Sequence, residues 1–111
     1  MIKNEGYIDI NSMDLLKDFK QNNKHILYFS SDSCNVCHSV FPRLLDLMKD
    51  VDFPIGKIDV NKNIEIAGQH LVFSIPSILI FNEDTEVLRE SRFIDFNKIE
   101  RIISQLQGGE G

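Results

Sequence analysis

His25-Ile26-Leu27-Tyr28-Phe29-Ser30, followed by Ser31-Asp32-Ser33 and then Cys34-Asn35-Val36-Cys37-His38-Ser39-Val40-Phe41-Pro42, contains the change of hydrophobic period from which the fold is read. Ile26 to Phe29 are four adjacent apolar residues, the pattern of a strand covered on both faces and therefore central in its sheet. Beyond the polar break, Cys37, Val40, Phe41, Leu44, Leu45, Met48 and Val51 recur at steps of three or four, which traces one face of a long helix starting near Cys34. Pro42 falls inside that helix, where it removes one backbone hydrogen bond and predicts a kink. The two cysteines of the chain therefore sit where a buried strand hands over to a helix.

Upstream, Tyr7-Ile8-Asp9-Ile10 alternates as a strand, and Asn11 or Ser12 caps a helix carrying Leu15, Leu16 and Phe19. Downstream, Phe53 to Val60 reads as a strand, and Asn61 or Asn63 caps a short helix through Ile64, Ala67 and Leu71. Ile78 to Phe81 is a strand, Asn82-Glu83-Asp84-Thr85 a polar turn, and Glu86 to Phe93 the antiparallel return strand. The last helix starts near Asp95 or Asn97, with Ile99, Ile102, Ile103 and Leu106 on one face. This order implies an α/β fold, a mixed central sheet of about four to five strands flanked by helices on both faces. With 111 residues, 42% of them hydrophobic, one core is expected: a single domain over residues 1–107, and a frayed tail over 108–111.

Twelve Lys and Arg against 17 Asp and Glu give a net charge of -5, and no basic stripe forms, so nucleic acid is not an expected partner. No apolar stretch approaches a bilayer span, so no membrane partner is expected. Met1 to Gly6 lacks the basic patch and apolar run of a secretory signal, which points to a cytoplasmic, reducing setting with thiols at rest. Two cysteines three apart do not make the framework of a disulfide-stapled domain, so their role is expected to be chemical.

At a helix N-terminus, unpaired amides and the positive end of the macrodipole favour thiolate over thiol. Cysteines so placed have pKa values of roughly 3.5 to 7.5, against about 8.5 when free. Cys34 is the expected nucleophile, and Cys37, one turn on and facing the core, the expected resolving thiol. Other chemistry uses the same letters. A lone CxxC is also half of a zinc site, but His25 and His70 lie in separate elements without finger spacing. Cys34 to His38 spells the CxxCH of c-type haem attachment, which belongs outside the cytoplasm and would need room beside a core-facing Cys37. No metal or cofactor is therefore expected, and His38 is read as a solvent-facing residue whose imidazolium favours the Cys34 thiolate.

The segment Ile26 to Pro42, with its strand, CxxC and a proline five residues after the second cysteine, resembles the thioredoxin family. Lys57-Ile58-Asp59-Val60-Asn61 looks like that family's next strand, and Ile75-Pro76-Ser77 before Ile78 to Phe81 is similar to its cis-proline loop and strand. These signatures come in family order and spacing across nearly the whole chain. The resemblance implies a thioredoxin fold and thiol-disulfide exchange on protein or low-molecular-weight disulfides, in the reducing direction. It implies that Pro76 is cis and faces Cys34, that the Ile75 backbone pairs with a substrate strand, and that Ser33 belongs to the substrate-binding rim. Its implied partners are disulfide-containing proteins and a disulfide reductase or low-molecular-weight thiol as electron donor, with the chain itself a monomer.

The sequence departs from the family at several points. Ser33-Cys34-Asn35-Val36-Cys37 stands in place of Trp-Cys-Gly-Pro-Cys, and the chain has no Trp, which leaves the reduction potential open. The family's buried acid aligns with Tyr28, which donates a hydrogen bond but does not accept a proton near neutrality. Lys57 matches the family lysine and biases the local field. The groove-lining glycine falls near Phe93, whose ring alters docking. Slower resolution by Cys37 and a changed choice of target are the expected consequences. A peptide-binding or redox-sensing module that does not turn over substrate is the competing class.

Overall fold

Every residue from Ile26 to Phe29 is fully buried, and the strand that contains them lies at the centre of a sheet. The computed structural model describes residues 6–108. Their elements are β1 (Ile8–Asp9), α1 (Met13–Phe19), β2 (Lys24–Ser30), α2 (Asn35–Met48), β3 (Ile55–Asp59), α3 (Ile64–Gln69), β4 (Ser77–Asn82), β5 (Thr85–Ser91) and α4 (Phe96–Leu106). The sheet order is β1-β3-β2-β4-β5, with β1, β3 and β2 parallel and β4 and β5 antiparallel additions.

Because side chains alternate across a strand, β2 feeds two cores. Ile26 and Tyr28 meet Cys37, Val40, Phe41, Leu44 and Met48 of α2 and Ile99 and Ile103 of α4. Leu27 and Phe29 meet Leu16 and Phe19 of α1 and Ile66 and Ala67 of α3. Helices thus cover both faces of a five-stranded mixed sheet, as the order of elements implies.

The helix starts follow local chemistry. Ser12 Oγ accepts from the Leu15 amide at 3.1 Å, and Asp95 Oδ1 accepts from Lys98 at 3.1 Å, two side-chain caps on orphan amides. Asn63 occupies the cap position of α3 without a capping bond, its Nδ2 donating instead to the Asp59 carbonyl. Gly108, at φ 87°, closes α4 in the left-handed geometry that glycine takes freely. The rest of the expected tail, residues 109–111, lies outside the described residues.

Several boundaries differ from the periodic reading. α2 stops at Met48, and Val51 folds back, its amide donating to the Met48 carbonyl at 2.9 Å. Leu71 is exposed and lies past α3 at φ 56°, while Val72 takes the buried place. The β4–β5 turn is only Glu83 and Asp84, because Asn82 and Thr85 already pair. β5 ends at Ser91 rather than Phe93, since Arg92 at φ 68° turns the chain away from the ladder.

At the end of β2 away from the cysteines, His25 is 1% exposed and stacks on Phe81 at 4.9 Å, with its Nδ1 donating to the Asn22 carbonyl at 2.8 Å. Its Nε2 has no partner among the described residues. His70 sets its ring edge-on to the same Phe81 and donates from Nδ1 to the Ile66 carbonyl at 2.9 Å. Burial pushes both imidazoles below their ordinary 6.5; the backbone carbonyls oppose this, and nearby Lys20 adds to it. The unfolded chain therefore binds more protons as pH drops through the unfolded value, so the stability from these neutral rings is present above about 6.5 and lost below it. Urea unfolding from pH 7.5 down to 5.5 should show falling stability, and His25→Gln, which cannot take up the proton, should flatten the slope. A pH-independent wild type contradicts this.

Candidate active site

After β2 the chain turns through Ser31 to Ser33 and enters α2 with Cys34 as the cap residue, in extended geometry at φ -92° and ψ 104°. Cys34 Sγ accepts the Cys37 amide at 3.1 Å, the bond a serine or aspartate oxygen makes at an ordinary helix start. The Cys34 amide reaches the Ser31 carbonyl at 3.2 Å, which fixes the approach of the loop. Cys34 and Cys37 form a disulfide with Cα atoms 5.3 Å apart, within the range such bridges require. The two sulfurs differ in access: Cys34 is half-buried, while Cys37 is 2% exposed and belongs to the core packed under α2.

A cavity of about 190 Å³ behind Cys37 is lined by Tyr28, Ser30, Ser31, Asp32, His38, Phe41, Pro42 and Lys57 as well as Cys37 itself. The Tyr28 hydroxyl donates to the Cys37 carbonyl at 2.8 Å. Its ring stacks on Phe41 with centroids 4.6 Å apart, and Tyr7 meets Phe41 edge-on at 5.0 Å. Lys57 is in register with Tyr28 on β3, and its Nζ lies 4.9 Å from the Phe41 centroid and 5.5 Å from that of Tyr7. The amine rests on aromatic faces, a cation–π arrangement. Burial pushes the Tyr28 phenol well above its usual value, so it serves as a hydrogen-bond donor and not as a base. His38 is exposed, as expected, but its Nε2 bonds the Asp32 carbonyl at 2.8 Å rather than a sulfur.

On the outer side, a cleft of about 300 Å³ is lined by Cys34, Asn35, Val36, Ile75, Pro76, Arg92 and Phe93. The Ile75–Pro76 peptide is cis. Ser77 Oγ donates to the Ser74 carbonyl at 2.8 Å and pairs with Ser91 Oγ at 2.9 Å, and the Arg92 amide donates to the Pro76 carbonyl at 2.8 Å. These bonds tie the proline loop to the end of β5.

The thioredoxin family model matches residues 9–107. The chain belongs to the thioredoxin family. It is a thiol-disulfide oxidoreductase of that family, and its Cys34–Cys37 pair fits a CxxC-type active site. "Thioredoxin-like protein YdfQ" of Bacillus subtilis is 32% identical over 99 residues, spanning 87% of this chain and 88% of that protein. The structure of thioredoxin 1 from Thermosipho africanus, 30% identical, aligns with a TM-score of 0.70 over 76% of this chain and 94% of its own. A mutant thioredoxin from Halobacterium salinarum, 22% identical, shares the fold with a TM-score of 0.79 over 88% of each chain.

Within this thioredoxin fold the residues singled out from sequence separate into two groups. Cys34, Ile75, Pro76 and Phe93 meet at the outer cleft, and Cys37, Tyr28, Lys57 and His38 meet at the inner cavity. Ser33 joins neither lining; it is exposed, with its Oγ 3.4 Å from Ser31 Oγ. His25 and His70 lie at the far end of the sheet, and five residues of β2 put His25 roughly 17 Å from its cysteine end. Arg92, Asn35 and Val36 are cleft residues that were not assigned to the site from sequence. Val36 was hidden between the cysteines as a spacer, and Arg92 carries no sequence signal for its left-handed backbone.

Tyr28→Phe removes a buried side-chain hydrogen bond to the Cys37 carbonyl and should lower stability at pH 7 by about 0.5–1.5 kcal/mol in urea unfolding of the disulfide form. The wild type holds its phenol proton in the folded state where the unfolded chain releases it. That contribution is complete below the usual 10.0 and lost as pH rises past it, so Tyr28→Phe should lack this alkaline loss. Equal stability of the two proteins at pH 7 would remove the role assigned to the hydroxyl.

Proposed function

We propose that this chain is a cytoplasmic disulfide reductase for proteins, in which Cys34 attacks and Cys37 resolves. The observation that carries this reading is the split in access, with Cys34 on the floor of an open cleft and Cys37 2% exposed behind it. The Cys34 thiolate attacks one sulfur of a substrate disulfide; that S–S bond breaks, and the leaving thiolate takes a proton from solvent. Cys37, deprotonated in turn, attacks the Cys34 sulfur of the mixed disulfide and releases the second substrate thiol. Two electrons have then passed to the substrate, and the Cys34–Cys37 disulfide remains. A disulfide reductase or low-molecular-weight thiol returns them.

The remaining site residues have supporting parts. The Ile75 amide and carbonyl have no hydrogen-bond partner among the described residues, which suits pairing with an extended substrate segment beside Pro76. Phe93 gives that segment an apolar wall, and Ser33 its outer approach. Lys57 and His38 bias the field around the sulfurs toward thiolate. Tyr28, holding the Cys37 carbonyl and unable to take a proton, slows the resolving step relative to a site with a buried acid. The working unit in this reading is a monomer, with residues 1–107 as one domain.

Insulin reduction driven by dithiothreitol tests the assignment. Cys34→Ser should fall to the uncatalysed rate, and pre-reduced Cys37→Ser, mixed with insulin after removal of dithiothreitol, should accumulate insulin chains bound covalently to Cys34, seen by non-reducing mass spectrometry. Adduct on Cys37 of the Cys34→Ser protein, or none on either, would defeat the assigned roles.

A further inference from the structure

Cys34, Asn35, Val36, Ile75, Pro76, Arg92 and Phe93 line the outer cleft, and of these only Arg92 carries a charge. Its neighbours in sequence are already paired: Arg89 is held by Glu86 at 2.7 Å, and the Glu90 carboxylate is taken by Lys98 at 3.5 Å and the Asp95 amide at 3.0 Å. Arg92 is exposed and has no ion pair among the described residues. Its guanidinium carbon lies 5.7 Å from the Phe93 ring centroid, and its amide is pinned to the Pro76 carbonyl. A single cation without an ion pair among the described residues thus stands beside the proline loop, at the rim of a mainly apolar cleft that in the disulfide form holds no other charge.

We infer that Arg92 is a specificity residue that selects disulfides flanked by an acidic side chain in an extended protein segment. This rests on the proposed reading of the cleft as the substrate site. A strand pairing with the free Ile75 backbone places residues near its cystine alongside Pro76 and the end of β5, where an aspartate or glutamate meets the guanidinium and an apolar neighbour meets Phe93. A lysine at the same place meets an uncompensated like charge, so the site discriminates by repulsion as well as attraction. The chain's overall charge of -5 does not override this, since exposed charges are screened beyond about 8–10 Å at physiological ionic strength and Arg92 acts at contact.

The test uses two synthetic peptide disulfides that differ only in Glu or Lys two residues from the cystine, reduced by the dithiol form of the full chain in single-turnover rate measurements. At about 0.15 M ionic strength, where the net charge of the chain is screened, the Glu peptide should react about two- to fivefold faster, the scale of an exposed ion pair. The preference should shrink in about 0.5 M salt, persist in Arg92→Lys, vanish in Arg92→Gln and invert in Arg92→Glu. An unchanged preference in Arg92→Gln, or no preference in the wild type, overturns the inference. Hydroxyethyl disulfide, uncharged and small, separates the two levels in the wild type. If it is reduced and the peptides are not distinguished, only the role of Arg92 fails; if neither it nor the peptides react, the reading of the cleft fails too.

Discussion

The hydrogen bond from the Cys37 amide to Cys34 Sγ is the contact on which the site depends. Helix starts leave amides without partners, and an oxygen of Ser, Thr, Asp or Asn ordinarily answers one of them. Here a sulfur does so, and Cys34 has the extended backbone of a cap, while α2 runs fourteen residues behind it. The same amides and macrodipole that demand a cap favour negative charge on the atom that provides it. In the proposed reading, the structural need of the helix and the chemical need of the attacking sulfur are met by one atom.

How that sulfur reaches solvent while its partner does not follows from packing. α2 presses Val40, Phe41, Leu44 and Met48 onto the face of β2 that carries Ile26 and Tyr28, and Cys37 lies on the same stripe. Burial of Cys37 is thus set by the apolar period of the helix, and partial exposure of Cys34 by its place just before that period begins. Tyr28, Phe41 and Lys57 line the cavity behind Cys37, and Tyr7 packs edge-on against Phe41. This group supplies one hydrogen bond and a nearby cation, but no carboxylate, which is one of the points at which the sequence departs from the family pattern.

The central strand, the long helix and the sulfur pair were legible because each is a local pattern: four adjacent apolar residues, a period of three or four, and a spacing of three. The second half of the site was readable only through resemblance, since Ile75 and Pro76 are brought to Cys34 by sheet topology and not by any local rule. Arg92 escaped notice because a non-glycine residue at φ 68° has no signature in the letters, and that same turn ends β5 two residues before the apolar pattern would. Leu71 misled for the same reason: it continues a helical period, yet at φ 56° it points outward while Val72 enters the core. His25, set aside as a metal ligand for want of finger spacing, is a ring stacked on Phe81.

The most direct measurement is the ultraviolet titration of the Cys34 thiolate in the reduced Cys37→Ser protein, where one sulfur remains and the backbone amide that caps onto it is retained. A midpoint in the range of roughly 3.5 to 7.5 is expected of a sulfur held as a helix cap. A midpoint near the free-thiol value of about 8.5, or above it, would contradict the claim that the start of α2 makes Cys34 the reactive atom.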